Sequence, residues 1–145
     1  MLYQNPKPVY RAGMIPYIIE NGQLYMMFMK PSDTEFGGDA FQLAKGKVED
    51  DDESTEFAAI REAKEELGLF VGNVIKTEEL GTFMGRTTVY LAKVRSRDMF
   101  GEPGFETSEV AWLTLEQFDS IGRELHRPVV RAAVRRIMYM EEMDE

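Results

Sequence analysis

The chain contains no cysteine and a single histidine, His126. The first absence excludes disulfides, a thiol nucleophile and thiolate-held zinc or iron–sulfur, and it fits a reducing compartment. The second excludes a multi-histidine metal site and leaves one imidazole for any serine–histidine–aspartate arrangement. A catalytic metal in such a chain has to be held by oxygens, which selects a hard cation such as Mg2+ or Mn2+. Positive charge is also short, with 17 lysines and arginines against 26 acids, for a net charge of −9. So acidic a chain is a poor nonspecific binder of duplex nucleic acid. A phosphorylated substrate remains open to it, because a bound cation inverts the local field. No apolar run approaches a membrane span, and the opening stretch MLYQNPKPVYRAG has no apolar core of the secretory type. The expectation is a soluble, cytoplasmic protein without a membrane partner or a stable nucleic-acid partner.

What is present is enough for a core. The hydrophobic share is 43%, with nine Phe, six Tyr and one Trp in 145 residues, which suits a single domain over 1–145. Two apolar runs flank Asn21-Gly22, a dipeptide that supplies the positive φ angles of a tight hairpin; strands are expected near 13–19 and 24–29. PSDTEFGGDA (31–40) reads as a loop, and FQLAKGK as a short strand that leaves through Gly46. VGNVIKTEELGTFM and RTTVYLAKVRS read as paired strands, RDMFGEPGFETSE as a loop, VAWLTL as a strand and LEQFDSIG as a short helix. A last helix opens at Arg127-Pro128. The methionines of YMMFM read as core filling, and His126 as a surface residue beside that helix. The order strands, helix, strands, helix indicates an α/β domain.

Between the strands lies an acidic helix. Ser54 is a good N-cap, Phe57, Ala58, Ile60, Ala63 and Leu67 recur mostly at helical spacing, and Gly68 stands where a helix ends in a left-handed residue. The last two turns carry Arg61, Glu62, Glu65 and Glu66. Spacings of three and four place these carboxylates on adjacent turns, where they repel. Arg61 can pair with Glu65, but nothing local neutralises all three acids. A solvated face tolerates that; a divalent ion would turn it into binding energy.

The whole segment GKVEDDDESTEFAAIREAKEELGL, Gly46 to Leu69, resembles the signature of the Nudix hydrolases: a glycine, a glutamate, then R-E-x-x-E-E-x-G and an aliphatic residue. Arg61, Glu62, Glu65, Glu66, Gly68 and Leu69 match it, and Glu53 has the right spacing to Arg61. Six residues lie between Gly46 and Glu53, one more than the family pattern, which reads as a one-residue loop insertion. The resemblance implies an α/β/α sandwich with a mixed central sheet and the catalytic helix beside it. It also implies metal-dependent hydrolysis of a diphosphate linked to another group, usually a nucleoside. Carried onto matching positions, it makes Glu65 and Glu66 the main metal ligands, with the Gly46 carbonyl as a further one. Glu62 becomes the general base or another ligand, Arg61 its orienting partner, and Glu53 a support for that network or a ligand to a second ion. Glu106, six residues before Trp112, is the candidate acid from the loop, with Glu102 and Glu109 as rivals.

AKGKVE looks like the lysine–glycine form of the box found in diadenosine polyphosphate hydrolases and RNA pyrophosphohydrolases, with Ala44 in place of a proline. Lys45 and Lys47 are then candidate phosphate contacts, as are Arg11 and Arg86; Tyr10, Phe83 and Tyr90 are candidate base platforms. Dinucleoside polyphosphates are the favoured substrates. ADP-ribose or a nicotinamide dinucleotide, an RNA 5′ end, and a nucleotide-sensing module without turnover are the alternatives. A homodimer through the N-terminal strands or the last helix stays open.

Overall fold

The computed structural model describes residues 8–35 and 38–143. The first seven residues, and Phe36 and Gly37 of the expected 31–40 loop, lie outside them. Six strands and three α-helices follow in the order β1 (Arg11–Glu20), β2 (Gln23–Pro31), β3 (Ala44–Lys47), α1 (Thr55–Leu67), β4 (Val74–Phe83), β5 (Thr87–Val94), β6 (Thr107–Leu113), α2 (Leu115–Ile121) and α3 (Arg127–Met140). Short 3-10 turns at Val71–Asn73 and Glu124–His126 precede β4 and α3. Asn21 and Gly22 take φ of 53° and 77°, the left-handed pair that a two-residue hairpin needs.

Strand β1 is the centre of a mixed sheet. It runs parallel to β5 from Arg11↔Thr87 to Tyr17↔Lys93. Its other edge is divided between β3, from Arg11↔Lys47 to Met14↔Ala44, and β2, from Tyr17↔Met26 to Glu20↔Gln23. The sheet order is β4-β5-β1-β2-β6, with β3 on β1. Because side chains alternate along a strand, β1 and β5 feed two cores. Ala12, Met14 and Ile18 join Tyr90, Ala92 and Val94 under α1, against Ala58, Ala59, Ala63 and Leu67. Ile15, Tyr17, Val89 and Leu91 face the other way, against Phe118 of α2 and Val129, Val130, Ala133 and Ile137 of α3. The layers are thus helix, sheet, helices. Small alanines on α1 let that helix lie close to the sheet, bringing its last two turns over β3. The methionines fill the core as expected: Met26, Met27 and Met29 are all at most 3% exposed.

The end of α3 is fastened to the sheet by one carboxylate. Glu141 accepts from Lys93 at 2.7 Å, Lys76 at 2.9 Å and the Tyr17 hydroxyl at 3.0 Å. Burial alone would raise its pKa; the three donors more than offset this and hold it at about 2. A folded pKa below the unfolded one means stability that is complete above the unfolded value and lost as pH falls. Glu141→Gln is therefore expected to cost about 1–2 kcal/mol at neutral pH, allowing for solvent screening. Urea unfolding from pH 7 down to 2 should show the gap between the two proteins closing across the acid range.

Candidate active site

Helix α1 begins where the hydroxyl of Ser54 accepts from the Phe57 N–H at 3.0 Å, and it ends at Gly68, with φ 78°. Its last carbonyls are taken by the loop before β6. Gly101 N–H donates to Gly68 O at 2.7 Å, Gly104 N–H to Glu65 O at 2.6 Å, and the Thr107 hydroxyl to Glu66 O at 2.8 Å. Asn73, fully buried, fixes the start of the same loop by donating to Ser96 O and Met99 O and accepting from the Arg95 and Ser96 N–H groups. Loop and acidic helix are therefore one backbone network, and Glu106 is held beside the helix.

Within the helix, Glu62 is 8% exposed and packs against Gly46 of β3. Glu66 accepts from the Lys45 N–H at 3.0 Å. Burial raises the pKa of both; Glu65 adds to the rise at Glu62, and Glu62 and Glu106 add to that at Glu66, which reaches about 8. Glu65 is the outlying member: its side chain is 56% exposed and stands 3.6 Å from Arg61. Among the described residues, no three acids already converge on a common point. The donor set nevertheless fits a hard cation. All the groups are oxygens, and Glu66 is a half-buried acid whose charged form is disfavoured by desolvation and then by two neighbouring acids, a condition that added positive charge relieves.

Arg61 ties the parts together. It forks onto Asp52 at 2.9 and 3.0 Å, and reaches Glu62 Oε1 and the Lys47 carbonyl at 3.0 Å each. The carboxylate in that fork is Asp52, not Glu53, which is exposed. The sequence counts from two ends and they disagree: spacing to Arg61 selects Glu53, while spacing from Gly46 selects Asp52. The structure follows the glycine. Asp52 lies on the inside of the 49–52 turn, where its carboxylate also accepts from the Glu49 N–H at 2.7 Å. Arg61, then the Glu49 N–H, hold its pKa down. Asp52→Asn is expected to lower kcat about tenfold, through loss of Arg61 positioning. Glu53→Gln should leave kcat within about twofold, since an exposed substitution away from such contacts is near neutral. A steady-state comparison of the two variants checks the assignment, and the reverse order restores Glu53.

Of the other candidates, Lys47 is exposed, and Arg86 is exposed beside a cavity of about 350 Å³ that Arg11 also lines. Glu109 is paired with Lys30 at 3.5 Å and Glu102 is exposed. Tyr90 is not a base platform. It is 7% exposed in the core under α1, with its hydroxyl 3.4 Å from Glu79, because β5 is covered on both faces and position 90 falls on the face toward α1. Phe83 is half-buried against the opposite core, while Tyr10 is 58% exposed. His126 is not on the surface but fully buried, with Nδ1 accepting from the Leu43 N–H at 3.1 Å. Its polar neighbours in sequence, Glu124 and Arg127, hide a side chain that points inward.

An α/β/α sandwich that carries an Arg-Glu-x-x-Glu-Glu helix over a glycine strand defines a class of diphosphate-cleaving enzymes. Residues 9–134 match the family model of the NUDIX domain, and the chain belongs to that family of pyrophosphohydrolases, whose members generally use divalent cations. No curated protein matches the chain in sequence. Solved structures match in fold. A C. elegans Ap4A hydrolase in a binary complex has a TM-score of 0.71 at 21% identity, over 90% of this chain and 98% of that one. The NUDIX domain of Shewanella oneidensis NrtR complexed with ADP ribose has a TM-score of 0.72 at 17% identity, over 92% and 90%. RenU, a Nudix hydrolase from M. smegmatis, has 0.68 at 19%, over 88% and 86%.

Proposed function

We propose that the protein hydrolyses a diphosphate bond in a nucleoside polyphosphate, with dinucleoside polyphosphates foremost, using Mg2+ or Mn2+. The observation that carries this is Glu66, a half-buried carboxylate that accepts from the Lys45 N–H beside Glu62 and Glu106, with its pKa raised to about 8. In this reading Glu66 and Glu65 are the main ligands of the ion, with Glu62, Glu106 and the Gly46 carbonyl as further oxygens. When bound, the ion screens phosphate charge and acidifies a water. Glu62 is the base that takes a proton from the attacking water; its raised pKa suits that task. Arg61 keeps the Glu62 carboxylate turned toward β3 by the Nη1–Oε1 bond. Lys45 and Arg11 face the phosphates as counter-charges, and Lys47 and Arg86 lie further out on the same approach. The partner is a small nucleotide in the cytoplasm, in keeping with a cysteine-free, acidic chain.

Product identification after incubation with Mg2+ tests the reading. The panel is diadenosine tetraphosphate, ADP-ribose, NADH, nucleoside triphosphates and 5′-triphosphate RNA. Chelator-sensitive cleavage of the polyphosphates is expected. Preference for ADP-ribose or NADH moves the substrate to a dinucleotide diphosphate; inertness toward the whole panel with either ion rejects the hydrolase reading in favour of a sensing module.

A further inference from the structure

Beside the carboxylates stand three cations that no carboxylate claims. Arg11, Lys45 and Arg123 take part in no ion pair among the described residues. They come from distant parts of the chain: the start of β1, the middle of β3 and the turn before α3. Strand alternation puts Lys45 over Gly13, where an added Cβ would stand 3.1 Å from Lys45 Cβ. Arg11 lies two residues before Gly13 and so on the same face of β1, and Arg123 is held to the run leading into β3 by its N–H, which donates to Phe41 O at 2.8 Å. Glu66 and Glu62 act on Lys45 from the other side, but the Glu66 carboxylate bonds to its backbone N–H and not to its ammonium. In a chain of net charge −9, three neighbouring cations with no acid in ion-pair contact among the described residues are a costly arrangement unless an anion arrives from outside.

Directly behind Arg123 lies His126. Its Nδ1 accepts from the Leu43 N–H, so the ring proton of the neutral imidazole is on Nε2. Burial first, then Arg123 and Lys45, hold the pKa at about 3 and keep the ring neutral. Nε2 stands 3.4 Å from Arg123 Nη1. Arginine has no acceptor, so both atoms are donors, and neither satisfies the other. A fully buried donor without an acceptor among the described residues is expensive, and this one points into the cation cluster. An oxygen lodged between Nε2 and Nη1 would accept from both, and the half-exposed, flexible Arg123 side chain can shift to admit it.

We propose that Arg11, Lys45 and Arg123, backed by the His126 Nε2–H, form a subsite for a further phosphate of the substrate, beyond the diphosphate held at the acidic helix. The inference rests on the polyphosphate reading above and deepens it. The site takes chains of three or more phosphates, and a substrate with only two leaves it empty. Arg123 is thereby a specificity-determining contact, and His126 positions it.

Because His126 is the only histidine, its Nε2–H gives one unambiguous proton resonance. Inorganic tripolyphosphate is titrated into the labelled full chain in chelator. The resonance is expected to move downfield and saturate. Arg123→Met should raise the midpoint about tenfold, the loss of one charge-assisted contact, while Arg123→Lys restores part of it. With Mg2+, Arg123→Met should raise KM about tenfold for triphosphate and tetraphosphate substrates and change it less than about twofold for a two-phosphate substrate. If Arg123→Met does not fold, Arg123→Gln, which also removes the charge, takes its place in both experiments. A stationary His126 resonance, or equal binding by wild type and variant, overturns the subsite even if hydrolysis is intact. Saturable, Arg123-dependent binding by a protein that cleaves nothing upholds the subsite and rejects the hydrolase reading.

Discussion

Glu66→Gln should abolish hydrolysis, by about 10³-fold or more as expected for removing a ligand proposed for the ion, and leave the fold intact. The reason lies in what burial has already done to this carboxyl. Its pKa of about 8 means that without an ion the group is largely protonated at neutral pH. Glutamine reproduces that neutral form and keeps an oxygen for the Lys45 N–H. The pH dependence separates the two proteins further. An acid whose folded pKa is raised contributes stability at low pH that is lost as pH climbs through the folded value. In chelator, the wild type should therefore lose thermal stability as pH rises from about 4.5 to about 8, and Glu66→Gln should lose less. Adding Mg2+ should raise the melting temperature of the wild type only. Near-normal turnover by a folded Glu66→Gln protein would remove Glu66 from the site.

Gly46→Ala is expected to be nearly as damaging, through geometry alone. A Cβ at position 46 would fall inside the Glu62 carboxyl group. Glu62 must then swing away, which breaks its 3.0 Å contact with Arg61, or β3 must retreat from α1. Either change costs about 1–3 kcal/mol, the usual range for overpacking. Displacing the candidate base should lower kcat about 10²-fold. Gly72→Ala is the control, because nothing lies within 4 Å of its added Cβ. It should match the wild type in urea unfolding and in kcat; a Gly46→Ala protein that also matches would place Glu62 elsewhere.

The parts of this molecule legible in its sequence are those governed by short-range rules. Helix α1 runs from Thr55 to Leu67 between the cap and the glycine that its residues announce, and the hairpin turns at Asn21-Gly22. Arg61 and Glu62 are neighbours, so their pairing needs only a helix. What stayed hidden depends on distance along the chain or on a count. Asp52 displaces Glu53 because the turn at 49–52 closes on its own N–H and turns the longer side chain outward. Tyr90 is buried because β5 is covered on both faces, so its aromatic has no open side. His126 and Arg123 gain their meaning from Leu43 and Lys45, about eighty residues away, and no local pattern marks such a meeting. The histidine itself stands at the N-cap of the proline-led helix α3, where the local sequence shows charged neighbours.

The parallel pairing of β1 with β5 also sets the order in which this chain can become itself. Arg11 meets Thr87, so the central pair joins segments on the order of seventy-five residues apart and closes a long loop whose entropy must be met early. The bed on which α1 rests is made of β1, β3 and β5, and it is incomplete until that closure. On the ribosome β1 emerges long before β5 and waits with one edge open. The catalytic helix can form early as a local structure, but its alanine face finds its floor only late. Refolding should thus be slow for a chain of this length, with the acidic site maturing in the same step as the sheet centre.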